Sequence, residues 1–528
     1  MAMTDMGVPV IAPGNYPALQ AIAMGANPAA PENLVRSIRN AVTADVQALA
    51  TNSPLVANAI ATSAVYMGGP NGLRPAPRLD PARLNLTPAQ AEDLENQLEQ
   101  AFVSWAGTPS ECDSLGQDTW PTMVDTALRR SFVTGEALVS WDWSPQWGGE
   151  WATKARLVEP QRISRSMDII HTPEGHFLRN GLETDKRGKL VAVHLDPRIA
   201  FPRVDGPAAY MQPGVRHEVE TAWGRPLVTL ALLDRPAPGV GRGVSPLGAA
   251  VARALQLDDL ANGTVKQLLA QSEIAWTLVS NMTPEEAVKG FDGHNHGVPG
   301  TEVNKHAALI ERLNFMNEWF TANRLNLSSA VSLLPEGSKL EAVQSSAELR
   351  GFEYLNRRLL TELAAAFGQS YSSFVGDYSQ DSYSSAKMSN IGMWTLLTRR
   401  RNSLVVPLYA AAYACIAEEA IMSGRIILPK RALDFYQNRG AYLTVDWQGM
   451  QRPAVDELKT AQAAQIELQT GVASLASIAA ERGQDWRDIA KQRATERAFY
   501  EKLGLPYPLD NPAPAAEIAP PDDKEVTK

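Results

Sequence analysis

An α+β fold is predicted for this 528-residue chain from three observations. Apolar residues recur at helical spacing near the start, through the middle and toward the end. Between about Trp120 and Leu233 the texture changes to short alternating runs separated by turns, the mark of strands. The composition is 45% hydrophobic and 20% charged, with 37 Gly and 36 Pro, which fits a sizeable core and many turns. The length suggests two to four structural units.

The elements follow in order. Residues 1–30 are rich in Ala, Gly and Pro and are expected to be mobile. Apolar spacing predicts a helix over 32–65. A second helix starts at Thr87 as N-cap, with Pro88 in the first helical position. "TWPTMVDTALRRSFVTGEALVSWDWS" reads as a helix, a turn at Gly135 and a strand. "KARLVEPQRI", "KLVAVHL" and "PLVTLALL" read as further strands, with "DKRGK" as a turn between them. Ser245 and Pro246 then open a long helix reaching about Ser272, weakened locally by Gly263. Residues 275–343 are mixed and irregular. Leu349, Phe352, Leu359, Leu363 and Phe367 give the next segment one apolar face. A polar stretch, "VGDYSQDSYSSAKMSN", leads into another helix in which Pro407 predicts a kink or break. After a short β-like piece, "AYLTVDWQG", helices fill 453–503, and the Pro-rich acidic end is expected to be disordered.

The formal charge of −9 excludes general electrostatic condensation on nucleic acid, because phosphate contacts require Lys and Arg. The two cysteines, Cys112 and Cys415, form no metal-ligand spacing and no disulfide framework, so a reducing compartment is expected. The start of the chain lacks the pattern of a signal peptide. "LVVPLYAAAYACIA" is too short to span a bilayer, which takes about 20 residues, and is read as a buried helix, so no membrane association is expected.

Motifs that could carry chemistry are weak. Gly239, Gly241 and Gly243 fit neither phosphate-binding spacing and are read as a flexible lead-in to a helix. Asp292, His294 and His296 lack further ligands at recognisable spacing, and the other histidines form no evident cluster. Neither a metal nor a cofactor is expected. Ser384 and Lys387 stand three residues apart, a spacing that puts both on one helical face. Nucleophilic catalysis would also need an oxyanion hole and a desolvated lysine. The companion motifs of SxxK enzymes are missing, so a role for Ser384, Ser385 and Ser389 in capping and lining a helix start is preferred to a catalytic one. Arg399, Arg400 and Arg401 form a basic cluster suited to nucleic acid, to an acidic neighbour or to solvent.

Five segments in order resemble one family, the portal proteins of tailed double-stranded-DNA bacteriophages in their lambda-like branch. They are "FVSWAGTPSECDSLGQDTW", "RNGLETDKRGKLVAVHL", "RPAPGVGRGVSPLGAAVARALQLDDL", "FGQSYSSFVGDYSQDSYSSAKMSN" and "DWQGMQRPAVDELKTAQAAQIELQTGVASLASIAAERGQDW". Asp381-Ser382 departs from the family's usual Asn, and Lys387 from its usual Arg.

The resemblance implies a non-enzymatic ring, commonly a dodecamer, assembled in the host cytoplasm and placed at one capsid vertex of the virion. Double-stranded DNA would pass through it. The terminase large subunit, the major capsid protein and a head-tail adaptor would be its partners. The implied plan is a β-rich wing over 31–244, stem helices over 245–274 and 345–368, a mixed clip over 275–344, and a tunnel loop over 369–390. A wing or tunnel helix region over 391–452, helical crown over 453–504 and tail over 505–528 complete it. The channel candidates are then Tyr378, Ser379, Gln380, Asp381, Ser382, Tyr383, Ser384, Ser385 and Lys387. Lys339, Arg357, Arg358, Arg399, Arg400 and Arg401 are further channel or subunit-interface candidates. The competing readings are another virion structural component, such as a capsid or tail protein, and a Ser/Lys hydrolase.

Overall fold

The computed structural model describes residues 31–145, 149–163, 175–196, 214–273, 276–280, 338–342, 348–379, 382–450, 457–482, 484–508 and 510. The chain divides into two bodies, residues 1–254 with 360–528, and residues 255–359. The boundaries fall inside two long helices.

The first body begins with α1 (Pro31–Asn52) and α2 (Pro54–Gly68). The single helix expected over 32–65 is two, because Pro54 cannot donate to the preceding turn and starts a new helix instead. β1 (Arg74–Pro77) and α3 (Pro88–Gly107) follow. Thr87 caps α3 as expected, in a reciprocal capping box with Gln90. α4 (Trp120–Thr134) ends at Gly135, whose φ of +83° is the left-handed turn that glycine adopts without a Cβ penalty.

Beyond Gly135 come β2 (Glu136–Trp143), β3 (Thr153–Val158), β4 (Phe177–Arg179), β5 (Leu182–Thr184), β6 (Leu190–Leu195), β7 (Val215–Glu218) and β8 (Val228–Leu232). They form two antiparallel sheets, one ordered β3-β2-β8 and the other β4-β5-β6-β7. Leu138, Val158 and Val228 from the first sheet pack with Leu182, Val193 and Leu195 from the second. Alternation along each strand thus buries one face of each sheet against the other.

The second sheet corrects the histidine reading. His176 and His194 converge on Glu183, at 2.7 Å through Nδ1 and 3.0 Å through Nε2, and Arg216 joins them at 2.9 Å. The strand pairing brings together residues that look scattered in the chain. Burial pushes the Glu183 carboxyl up, but hydrogen bonds from Arg216, His176 and His194 outweigh it and hold it down to about 2. A carboxylate depressed below its ordinary 4.5 adds stability above that pH and loses it as the pH falls toward about 2. Glu183→Gln should therefore flatten the acid limb of a urea-unfolding series. An acid limb as steep as that of the parent would show that Glu183 contributes nothing to it.

Ser245 accepts from the Leu247 amide, but the first turn, Pro246–Ala250, is 3-10 before α5 (Val251–Glu273) begins. After α6 (Glu348–Phe367), the chain continues through α7 (Tyr371–Val375) and α8 (Tyr383–Arg400). A π-turn, Arg401–Val405, then joins α8 to α9 (Val406–Met422) without interruption. Pro407 does not break the helix. The wide turn before it accommodates the ring and the missing amide hydrogen. The run Lys387–Met422 is long and apolar enough to cross a membrane by length and composition, but most of its apolar part is buried inside the body. That agrees with the core-helix reading of 404–417.

α9 supplies Tyr409 and Tyr413 to an aromatic core. They meet Phe102 from α3 and Trp447 from β11 (Val445–Gln448), while Trp120 contacts Trp105, Trp141 and Tyr409 at 5.4–5.7 Å between ring centroids. β11 pairs with β1, which joins distant parts of the chain at this core. Last come α10 (Glu457–Thr470), α11 (Leu475–Glu481) and α12 (Trp486–Leu503). Ion pairs Arg487–Glu95, Lys491–Glu92 and Arg78–Asp485 tie α12 and its cap to the rest.

In the second body, β9 (Trp276–Ser280) and β10 (Ser338–Ala342) form an antiparallel pair. Asp292, His294, His296 and His306, with most of the irregular 275–343 segment, lie outside the described residues.

Candidate nucleic-acid interface

The polar stretch is shorter as a loop than the sequence implied. Much of the 369–390 segment is helix, and the described residues between the helices are Gly376–Ser379 and Ser382. The physical reason is local capping. Ser370 accepts from the Ser373 amide and starts α7, and Gly376, at φ +81°, ends it. Ser382 accepts from the Ser385 amide at 3.2 Å and starts α8. The cap is therefore Ser382 rather than Ser384.

The turn rises from fixed supports. Gly368 ends α6 at φ +73°, and a Cβ there would lie 2.1 Å from Leu396 Cδ2. Gln369 Nε2 donates to Ser63 Oγ at 3.1 Å, which ties this end to α2. Phe374 is buried against Phe367, with 5.6 Å between ring centroids. On the opposite side of the turn, Ser403 Oγ donates to the Leu233 carbonyl and Arg400 pairs with Asp234. The polar sequence thus lies between two anchored helices, α7 and α8.

Within it, Asp377 Oδ1 accepts from the Ser379 amide, which folds the first half. Tyr378 and Ser379 are exposed. Gln380 and Asp381 lie outside the described residues. Tyr383 and Ser384 occupy the first turn of α8, and Ser385 donates to the Ser382 carbonyl. Lys387 is exposed one turn into α8, beside exposed Met388, and pairs with no described residue. Serine activation by this lysine would require a desolvated ammonium, and exposure supplies none.

The basic cluster splits. Only Arg399 is exposed, and it lies 3.4 Å from Asp234. Arg400 is buried, bonded to Asp234 at 3.0 Å and stacked over Phe132. Arg401 donates to the Met67 and Tyr66 carbonyls and stacks on Trp394. Two of the three guanidiniums are thus spent on this chain's own backbone and core, which corrects the view of the run as one solvated face. Arg357 and Arg358 are exposed on α6 of the second body, and Lys339 lies on β10. The supports Gly368, Gln369, Ser63 and Asp234 were not among the sequence candidates. A glycine directly after an amphipathic helix was the one available signal for them.

A family model described as phage portal protein, lambda family, matches residues 21–401. Portal protein B of Escherichia phage lambda is 24% identical over 429 residues, covering 80% of this chain and 77% of that protein. The portal protein of Escherichia phage N15 is 24% identical over 433 residues, covering 80% of this chain and 78% of that one. Among solved structures, a chain from the neck of an empty GTA particle shares 12% identity over 86% of this chain and 91% of that chain, with a TM-score of 0.42. The class that the family model defines is that of phage portal proteins. More narrowly, the chain belongs to the lambda family of phage portal proteins. Four of the five resembling segments lie inside the matched residues, and the "DWQG" segment lies beyond them.

Proposed function

We propose that the protein forms a closed ring at one capsid vertex, through which double-stranded DNA is packaged and later released. The observation that carries this reading is the family match across 21–401, which includes the anchored turn and Lys387. In this reading, the 376–387 region is the tunnel segment facing DNA, α5 and α6 form the stem, and the residues between them form the clip. The region 31–244 is the wing and α10–α12 belong to the crown. The terminase large subunit, the major capsid protein and a head-tail adaptor dock on the outside, and a dodecamer is expected.

The chemistry suits sliding. A chain of net charge −9 repels the phosphate backbone in general. One exposed lysine per copy, repeated by ring symmetry, gives shallow and salt-screened attraction. The exposed apolar residues Leu255 and Val265 on α5, and Tyr354 and Leu355 on α6, supply surface that neighbouring copies would cover. The test is negative-stain microscopy of the purified full-length protein. Top views should show closed rings with a central hole and one dominant rotational symmetry. Persistent monomers or dimers, or a shell or long tube, would overturn the reading.

A further inference from the structure

The segment leading into α5 is held by a buried charge cluster that the functional reading does not use. Glu136, at the start of β2, is fully buried. Its Oε1 accepts from Arg39 Nη2 at 2.6 Å and Arg242 Nη2 at 2.7 Å, and its Oε2 accepts from the Gly243 amide at 2.8 Å. Arg39 Nε donates in turn to the Gly243 carbonyl at 3.1 Å. Arg242 also donates to the Asn180 and Pro160 carbonyls, at 2.8 and 3.2 Å. Both polar groups of the Gly243 backbone are therefore taken by the cluster. Close backbone packing reinforces it, since a Cβ on Gly243 would lie 2.3 Å from the Gly135 carbonyl oxygen. Two residues on, Ser245 Oγ donates to the Phe132 carbonyl at 2.6 Å.

Stability alone does not call for this design. A buried ion cluster is generally no more stabilising than apolar residues of similar volume. Directional bonds on every polar group of one backbone unit accomplish something that apolar packing cannot, because they fix its orientation. We infer that Glu136, with Arg39 and Arg242, is a positioning clamp that sets the rigidity with which the start of α5 is rooted in the first body. Its mechanical meaning rests on the portal reading, in which α5 opens the stem and must keep its direction while DNA moves.

The experiment is hydrogen exchange on the full-length protein, comparing the parent with Glu136→Gln, Arg242→Lys and Arg39→Met. Glu136→Gln should speed exchange over residues 243–254 by about tenfold or more, while amides pairing β2 with β3 and β8 change far less. Arg242→Lys keeps the charge but loses the fork, and should show the same local pattern if Glu136→Gln fails to fold. Arg39→Met leaves the Glu136–Arg242 pair intact and should give a smaller effect. Unchanged protection at 243–254, or loss spread evenly over the sheet, overturns the clamp. In complementation, variants that form rings should yield fewer DNA-filled particles, and full packaging despite faster local exchange would overturn the clamp's mechanical role in DNA passage. Ring formation by the parent tests the portal reading separately, because the exchange pattern does not depend on it.

Discussion

Trp120→Ala is expected to lower stability by about 3–5 kcal/mol, the range for truncating a large buried aromatic side chain. The residue opens α4, is fully buried and touches Trp105, Trp141 and Tyr409. Those three rings come from α3, β2 and α9, so the cavity would open where helices and the first sheet meet. Collapse is hindered because two of the three neighbours are themselves held by hydrogen bonds. Trp105 donates to the Thr153 carbonyl, and Trp141 donates to the Thr229 hydroxyl. The conservative partner experiment is informative. The Trp120 indole nitrogen has no hydrogen-bond partner among the described residues, so Trp120→Phe removes volume without breaking a hydrogen bond. It should cost clearly less than the alanine change. Urea unfolding of all three proteins checks this, and an alanine variant within about 1 kcal/mol of the parent would show that the site collapses freely.

Local signals made much of the fold legible. Thr87 with Pro88, Gly135, and Ser245 with Pro246 each mark a boundary where the structure has one, because capping chemistry acts over a few residues. The features missed depend on distant partners. Arg400 turns inward because Asp234, 166 residues earlier, waits there. His176 and His194 meet only because β4 and β6 both pair with β5 and so flank Glu183. Pro407 is absorbed by a π-turn that no propensity announces. At the candidate interface, the exposed residues were legible from composition. The start of α8 was not, since it depends on the Ser382 hydroxyl rather than that of Ser384 accepting from a backbone amide.

Lys387→Glu is expected to reduce DNA-filled particles by more than about tenfold while leaving ring assembly intact. The residue is exposed, pairs with no described residue and sits on an anchored helix, so its replacement breaks no described contact. Two unit charges about 4 Å apart in water interact by about 1 kcal/mol, so reversing the sign at one phosphate contact changes it by about twice that. Ring symmetry repeats the change in every copy, turning a shallow attraction into a like-charge constriction. Lys387→Ala removes the attraction without adding repulsion and should have a milder effect. Salt separates charge from shape, because screening shortens to roughly 3 Å at 1 M ionic strength and should weaken DNA-retention differences between the charge variants. Nuclease-protected DNA in complemented particles, with ring formation measured alongside, checks the order parent, alanine, glutamate. Equal packaging by all three would mean that Lys387 faces water and that the turn acts as a spacer. Loss of rings in the glutamate variant would place the lysine against a neighbouring subunit, where its charge would serve assembly rather than DNA passage.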